Sequence, residues 1–330
     1  MDKNKERIGI ANGLVAGITW GIDTVLVGII MASTSFIDNE QAIFLAPFVS
    51  TFMHDFFSAL WATIFMIFKG KSGEVIKSLK TRSGRFIVLG ALLGGPVGMT
   101  CYLLSVKYIG AVYAASITSI FPGVSALLAF IFLKEEMNVR IWSGIVLSIA
   151  GVITLGYVPA QLTLGSDFLI GILFAFGTVF AWGVEGVICA LGMKDGEVDS
   201  EYAINIRQAT SGLVYAVIII PFLKGYGLAA KALTSTTAIG SFNINLGVLI
   251  AITALVGTLS YMQYYKAINI IGAARSTALN ITYSVWAILI QIIFMKSPVS
   301  LQLVIGTIIV ILGSFLVTGN PKELLGLNEN

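Results

Sequence analysis

Four ionisable side chains lie in stretches otherwise too apolar to carry them: Asp23, the adjacent pair His54 and Asp55, and Glu185. A charge in such surroundings is costly, so its presence marks a working group by default. Trp20 precedes Asp23 by three residues, and Trp182 precedes Glu185 by the same spacing. On a helix this places ring and carboxylate on one face. Tyr283 and Trp286 repeat the spacing, Tyr261 and Tyr265 are four apart, and Tyr102 adds a further ring. Rings beside carboxylates can hold an organic cation. A quaternary ammonium has no N–H to donate and is held by aromatic faces, at about 0.5–2 kcal/mol per ring. A nearby carboxylate adds long-range attraction. The binding set expected on these grounds is Trp20, Tyr102, Trp182, Glu185, Tyr261, Tyr283 and Trp286. Asp23, His54, Asp55 and Glu185 are the candidates for counter-charge or proton coupling. Asn280 and Gln208 are mid-helix amides suited to orienting a hydroxyl or bracing neighbouring helices. Trp61 and Trp142 fit an interfacial aromatic belt.

Several other chemistries lack their residues. The sequence has one histidine, too few for a histidine-rich metal site. It has no glycine-rich phosphate loop ending in Lys and Ser/Thr, so no cofactor and no enzyme activity are expected. Cys101 and Cys189 both sit in apolar runs and read as core residues rather than a disulfide.

The elements that must position these groups are membrane helices. Hydrophobic residues make up 57% of the 330 and charged residues 11%, less than half the roughly 25% of a soluble domain. Between Phe86 and Leu133 the one charge is Lys107, and between Ala232 and Tyr265 there is none. Stretches of this kind predict ten spans, at about 8–33, 43–68, 84–106, 111–133, 139–157, 167–191, 201–223, 246–268, 273–295 and 299–318. The expected fold is an all-α membrane protein in a lipid bilayer. The net charge of +3 reflects topology rather than nucleic-acid binding. With the N-terminus inside, inner segments hold fifteen Lys and Arg, six of them between Lys69 and Arg85, against Lys107, Lys224, Lys231 and Lys296 outside. The positive-inside rule then makes both termini cytoplasmic. Arg207 is expected to snorkel from the inner end of the seventh span, leaving no base buried comparably to the acids.

The halves repeat. Trp20-Gly21-Ile22-Asp23 matches Trp182-Gly183-Val184-Glu185, Tyr102 and Lys107 match Tyr261 and Lys266, and Gly110-Ala111 matches Gly272-Ala273. Five spans per copy is odd, so the second copy is inverted, with a site expected between the halves near the midplane. The repeat units are placed at 1–160 and 161–330.

Ten spans in a five-plus-five inverted repeat resemble the drug/metabolite transporter superfamily, EamA type. His54-Asp55-Phe56, the run Gly90 to Met99, Val106 to Gly110, Trp182 to Glu185, Ile206-Arg207-Gln208 and Leu279 to Trp286 are similar to stretches of bacterial choline permeases that serve phosphorylcholine decoration. The resemblance implies a multi-pass protein of the bacterial plasma membrane. It implies alternating-access import of choline or a related quaternary ammonium, driven by membrane potential and open to proton symport. Export of amino acids or other metabolites, as in many EamA relatives, is the rival expectation.

Overall fold

The computed structural model describes residues 3–118, 120–156, 166–239, 242–296 and 301–318. Seven of its helices are long and apolar enough to cross a membrane, and three shorter apolar helices join them. In chain order they are α1 (Asn4–Met31), α2 (Glu40–Phe68), α3 (Arg82–Ile109), α4 (Phe121–Leu133), α5 (Val139–Leu155), α6 (Phe168–Lys194), α7 (Ser200–Leu223), α8 (Leu246–Ile271), α9 (Ala273–Met295) and α10 (Leu301–Val317). The fold is an all-α membrane fold of two five-helix halves. The expected unit boundary at 160/161 and the C-terminal Lys322 lie outside the described residues. At about 1.5 Å per residue, the 28 residues of α1 exceed the roughly 30 Å hydrocarbon core. Along α6, Leu169, Leu173 and Phe180 are 63%, 70% and 59% exposed, a continuous apolar stripe suited to lipid.

The packing follows the repeat. α1 of the first half lies along α8 of the second, and the equivalent pair, α6 of the second half and α3 of the first, does the same. α5 and α10 are each other's repeat mates, and they pack together. Their close approach depends on glycine: a Cβ on Gly144 would stand 2.7 Å from the Gly313 carbonyl oxygen, and one on Gly151 3.0 Å from that of Gly306. Small residues are the usual means of such backbone contact in a bilayer. Lys134 and Lys296, 162 positions apart, end their helices in the same left-handed conformation, with φ of 55° and 53°.

Helix starts are fixed by local chemistry. Asn39 caps α2 by accepting from Ala42 N at 2.9 Å, Asp199 caps α7 through Glu201 N at 2.9 Å, and Asn245 caps α8 through Val248 N at 3.0 Å. Each satisfies one amide that the first turn leaves without a partner.

In its secondary structure the protein departs from the sequence expectations in three places. The helix holding α3 continues to Thr118, so the third span does not end between 106 and 111. Neither proline nor a capping side chain stands near Lys107 to stop the helix, whereas Pro122 opens the next one. The ninth span is broken: helix Ala273–Asn280 ends and Tyr283–Met295 begins after a turn. A short antiparallel pair, β1 (Thr236–Ile239) and β2 (Phe242–Asn245), precedes α8. Trp61 donates its indole N–H to the Ala251 carbonyl at 2.9 Å, bracing α2 on α8.

At the end of the bundle where α1 begins, polar contacts tie the halves together. Glu6 pairs with Arg275 at 2.7 Å, and Glu201 pairs with Lys69 at 2.7 Å across the halves and with Lys266 of its own half at 3.4 Å. Glu135, after α4, accepts from Ala273 N at 2.7 Å and Ala274 N at 3.2 Å at the start of α9. Burial pushes the Glu135 carboxyl above its ordinary value, against the opposing pull of those two N–H groups and Arg275.

Candidate functional site

Between the halves lies a cavity of about 340 Å³, at the small end of the usual range for ligand pockets. Both halves contribute to its wall. α1 supplies Trp20 and Asp23, α2 supplies His54 and Asp55, and the helix carrying α3 supplies Gly94 and Tyr102. α6 supplies Trp182 and Glu185, α7 supplies Arg207, α8 supplies Tyr261, and α9 supplies Asn280 and Tyr283. Of the residues expected from sequence, Trp286 stands apart. Among the described residues, it does not line the cavity. It packs against α1 instead, where a Cβ on Gly21 would come 2.6 Å from the Trp286 Cβ.

The glycine run of α3 shapes one wall. Leu93–Met99 is wound as a π-helix, a local widening of the helix that frequently marks functional sites. The Gly94 carbonyl there accepts the Trp182 indole N–H at 3.0 Å. The Glu185 carboxylate lies so close over Gly94 that an added Cβ would coincide with it. Gly98 leaves room for the Trp182 ring, which a Cβ would meet at 2.8 Å. Trp182 also contacts Tyr102 (centroids 5.5 Å) and Phe121 (5.7 Å, edge-on), and Trp20 meets Tyr261 edge-on at 4.8 Å.

The charges form one network. His54 Nε2 is 2.9 Å from Asp23 Oδ1, and its Nδ1 is 3.5 Å from Asp55 Oδ1. Ser211 donates to Asp55 Oδ2 at 2.5 Å. Arg207 corrects the expectation of a snorkelling side chain. It is 4% exposed, and its Nε donates to Glu185 Oε1 at 2.9 Å. Its Nη1 donates to Gln208 Oε1 at 2.7 Å and lies 3.9 Å from Asp55 Oδ2. Its guanidinium sits 4.5 Å from the centre of the Tyr261 ring. The physical reason is that Asp55 is buried and Glu185 lies in the cavity wall with its side chain 13% exposed, and together they draw the cation inward. An arginine surrounded by acids has less to gain from the interface. Tyr261 therefore presents a face already occupied by a cation, so Trp20, Tyr102, Trp182 and Tyr283 are the expected rings left to a ligand. Asn280 Oδ1 is buried and, among the described residues, has no hydrogen-bond partner. Cys101 and Cys189 are free thiols, and Tyr265 donates to Cys189 Sγ at 3.2 Å.

The arrangement can pair with charge and stack against apolar cations. An ionised carboxylate only accepts hydrogen bonds. His54, with Nε2 in hydrogen-bond reach of Asp23 and Nδ1 facing Asp55 at 3.5 Å, is best satisfied as an imidazolium between the two carboxylates. The cavity then holds three carboxylates against one guanidinium and one imidazolium, leaving a single negative charge in excess.

Known proteins carry related chains. The chain is 34% identical over 212 residues to Protein LicB of Haemophilus influenzae, covering 64% of this chain and 67% of that protein. It is 26% identical over 278 residues to the uncharacterised transporter YyaM of Bacillus subtilis, covering 79% of this chain and 84% of that one. A solved crystal structure at 15% identity superposes with a TM-score of 0.69 over 94% of this chain and 96% of the other, which speaks to the fold. The family of EamA-like transporters matches residues 7–157 and again 169–319, the two halves that enclose the cavity. A multi-pass integral membrane protein made of that unit twice over, the chain belongs to the EamA-like transporter family.

Proposed function

We infer that this transporter imports choline or a related quaternary ammonium by alternating access. The observation that carries the reading is the cavity: aromatic rings beside a charge network one positive charge short of neutrality. A monovalent cation without N–H donors completes both. Asn280 Oδ1, buried without a partner among the described residues, offers an acceptor for a cargo hydroxyl. The ties that join the halves at the α1 end support a state closed on that side. The stretches similar to choline permeases support the substrate class. One positive charge moving inward gains about 2.3 kcal/mol per 100 mV, enough for uniport, and His54 between two acids offers a seat for a coupled proton. The test is uptake of radiolabelled choline by proteoliposomes under an imposed inside-negative potential, with amines and amino acids as competitors. Uptake that ignores the potential, or that amino acids abolish and amines do not, overturns the reading.

One observation favours the rival, an exporter of amino acids or other zwitterions: Arg207 stands in the cavity wall and could receive a carboxylate. Its Nε and one Nη are already committed to Glu185 and Gln208, which weighs toward the cation.

Trp182→Ala is expected to weaken choline binding by about 0.5–2 kcal/mol, with Trp182→Phe milder, since the contact needs an aromatic face. Calorimetry on purified protein reads both. Parent-like affinity for the alanine variant removes this ring from the site.

The bias of basic residues supports cytoplasmic termini. A cysteine placed in the exposed helix Ser72–Lys80 should resist a membrane-impermeant reagent added outside intact cells. Ready labelling there reverses the orientation.

A further inference from the structure

We propose that the Glu185–Arg207 ion pair sets the net charge of the cargo at plus one, rejecting both zwitterions and dications. The inference rests on the cation-carrier reading above and adds to it the residues that decide cargo valence. Glu185 comes from α6 and Arg207 from α7, and both line the cavity. They meet at 2.9 Å with side chains 13% and 5% exposed. While joined, each withholds its charge from the cargo. A zwitterion would present its carboxylate to an arginine already engaged by Glu185, Gln208 and the face of Tyr261. A dication would find its second charge opposed by the same guanidinium. What remains open is the single negative charge in excess on the Asp23–His54–Asp55 side, enough for one positive charge.

The pair is therefore a selector that can be unbalanced in either direction. Removing the charge of Glu185 frees a guanidinium beside the ammonium site, a partner for a cargo carboxylate. Removing that of Arg207 frees a carboxylate, a partner for a second cationic group. Removing both restores the parent's charge balance with neither partner on offer. A buried charge gained or lost at close range is worth at least about tenfold in affinity.

The experiment measures calorimetric binding of four probes to the purified full-length chain at one pH. They are choline, glycine betaine, a two-carbon bis-trimethylammonium dication, and the neutral tert-butyl analogue of choline. The parent should bind choline above the other three. Glu185→Gln should raise the betaine-to-choline ratio by at least about tenfold, and Arg207→Gln should raise the dication-to-choline ratio by a similar factor. The double variant Glu185→Gln/Arg207→Gln should return to the parent's preference. If Arg207→Gln does not fold, Glu185→Gln and the double variant decide the matter between them. A parent that binds choline while the ratios stay within about threefold of the parent's in Glu185→Gln, or while the double variant keeps the altered preference, overturns the proposal and leaves the cation-carrier reading standing. A parent that binds none of the four probes overturns that reading, and the proposal falls with it.

Discussion

Asp23→Asn is expected to weaken choline binding by about 2–5 kcal/mol, the usual cost of losing a hydrogen-bonded partner from a buried charge network. At about 1.4 kcal/mol per tenfold, the loss is at least some thirtyfold. The argument runs through His54. Asp23 is 4% exposed, and its one carboxylate oxygen lies 2.9 Å from His54 Nε2. Asparagine keeps the shape and can still accept from the imidazole, but the excess negative charge is gone. A cationic cargo would then enter a cavity of balanced charge. It would retain its aromatic contacts, each worth about 0.5–2 kcal/mol, and lose the long-range attraction. The neutral tert-butyl analogue has no charge to feel the change, so its weak binding should stay the same. Calorimetry with the two compounds separates charge from shape. Equal loss for both would mean that asparagine distorts the site. Full retention of choline affinity in Asp23→Asn would place the counter-charge elsewhere, with Asp55 the remaining acid beside His54.

The fold was legible in the sequence because a bilayer leaves few solutions: apolar runs of span length must be helices, and the repeated Trp-Gly-x-acid motif ties two of them to one axis. Local departures were harder to read where no local residue announces them. The break after Asn280 contains neither glycine nor proline, so hydropathy reads α9 as one span. By contrast, the run Gly94-Gly95-Pro96 is made of poor helix formers, and the structure winds it as a π-helix. In the cavity, Asp23, His54, Asp55 and Glu185 declared themselves because each is too polar for its surroundings. Their partners did not. That His54 faces Asp23 on another helix depends on how α1 packs beside α2, which no spacing within one helix encodes. Arg207 was misplaced because the snorkelling rule treats a helix alone in lipid. Counting buried acids could have found it: three carboxylates in one small cavity need a cation, and Arg207 is the basic residue deep in a neighbouring span. Trp286 shows the opposite error. Its spacing from Tyr283 puts both on one face of a continuous helix, yet it packs on Gly21 of α1 rather than in the cavity.

The second large effect is expected at a residue with no side chain. Gly94→Ala should abolish measurable choline binding, because the new methyl group would occupy the place of the Glu185 carboxylate. Glu185 would have to swing out of its pairing with Arg207, now 2.9 Å away. Breaking a buried pair so that its partners are left uncompensated costs about 3–5 kcal/mol. The backbone of the π-turn has little freedom to retreat, since the Gly94 carbonyl holds the Trp182 indole N–H at 3.0 Å. Any shift there would also move an aromatic wall of the site. The alternative explanation, general disruption of α3, is tested by a double-mutant cycle. Glu185→Ala removes the atoms that the methyl group would strike, so Gly94→Ala added to Glu185→Ala should cost little more than Glu185→Ala alone. The expected non-additivity is at the upper end of the 0.5–3 kcal/mol range for residues in contact, read from thermal unfolding in detergent and from calorimetry where binding survives. Additive losses would show that Gly94 matters to the helix and not to the carboxylate lying over it.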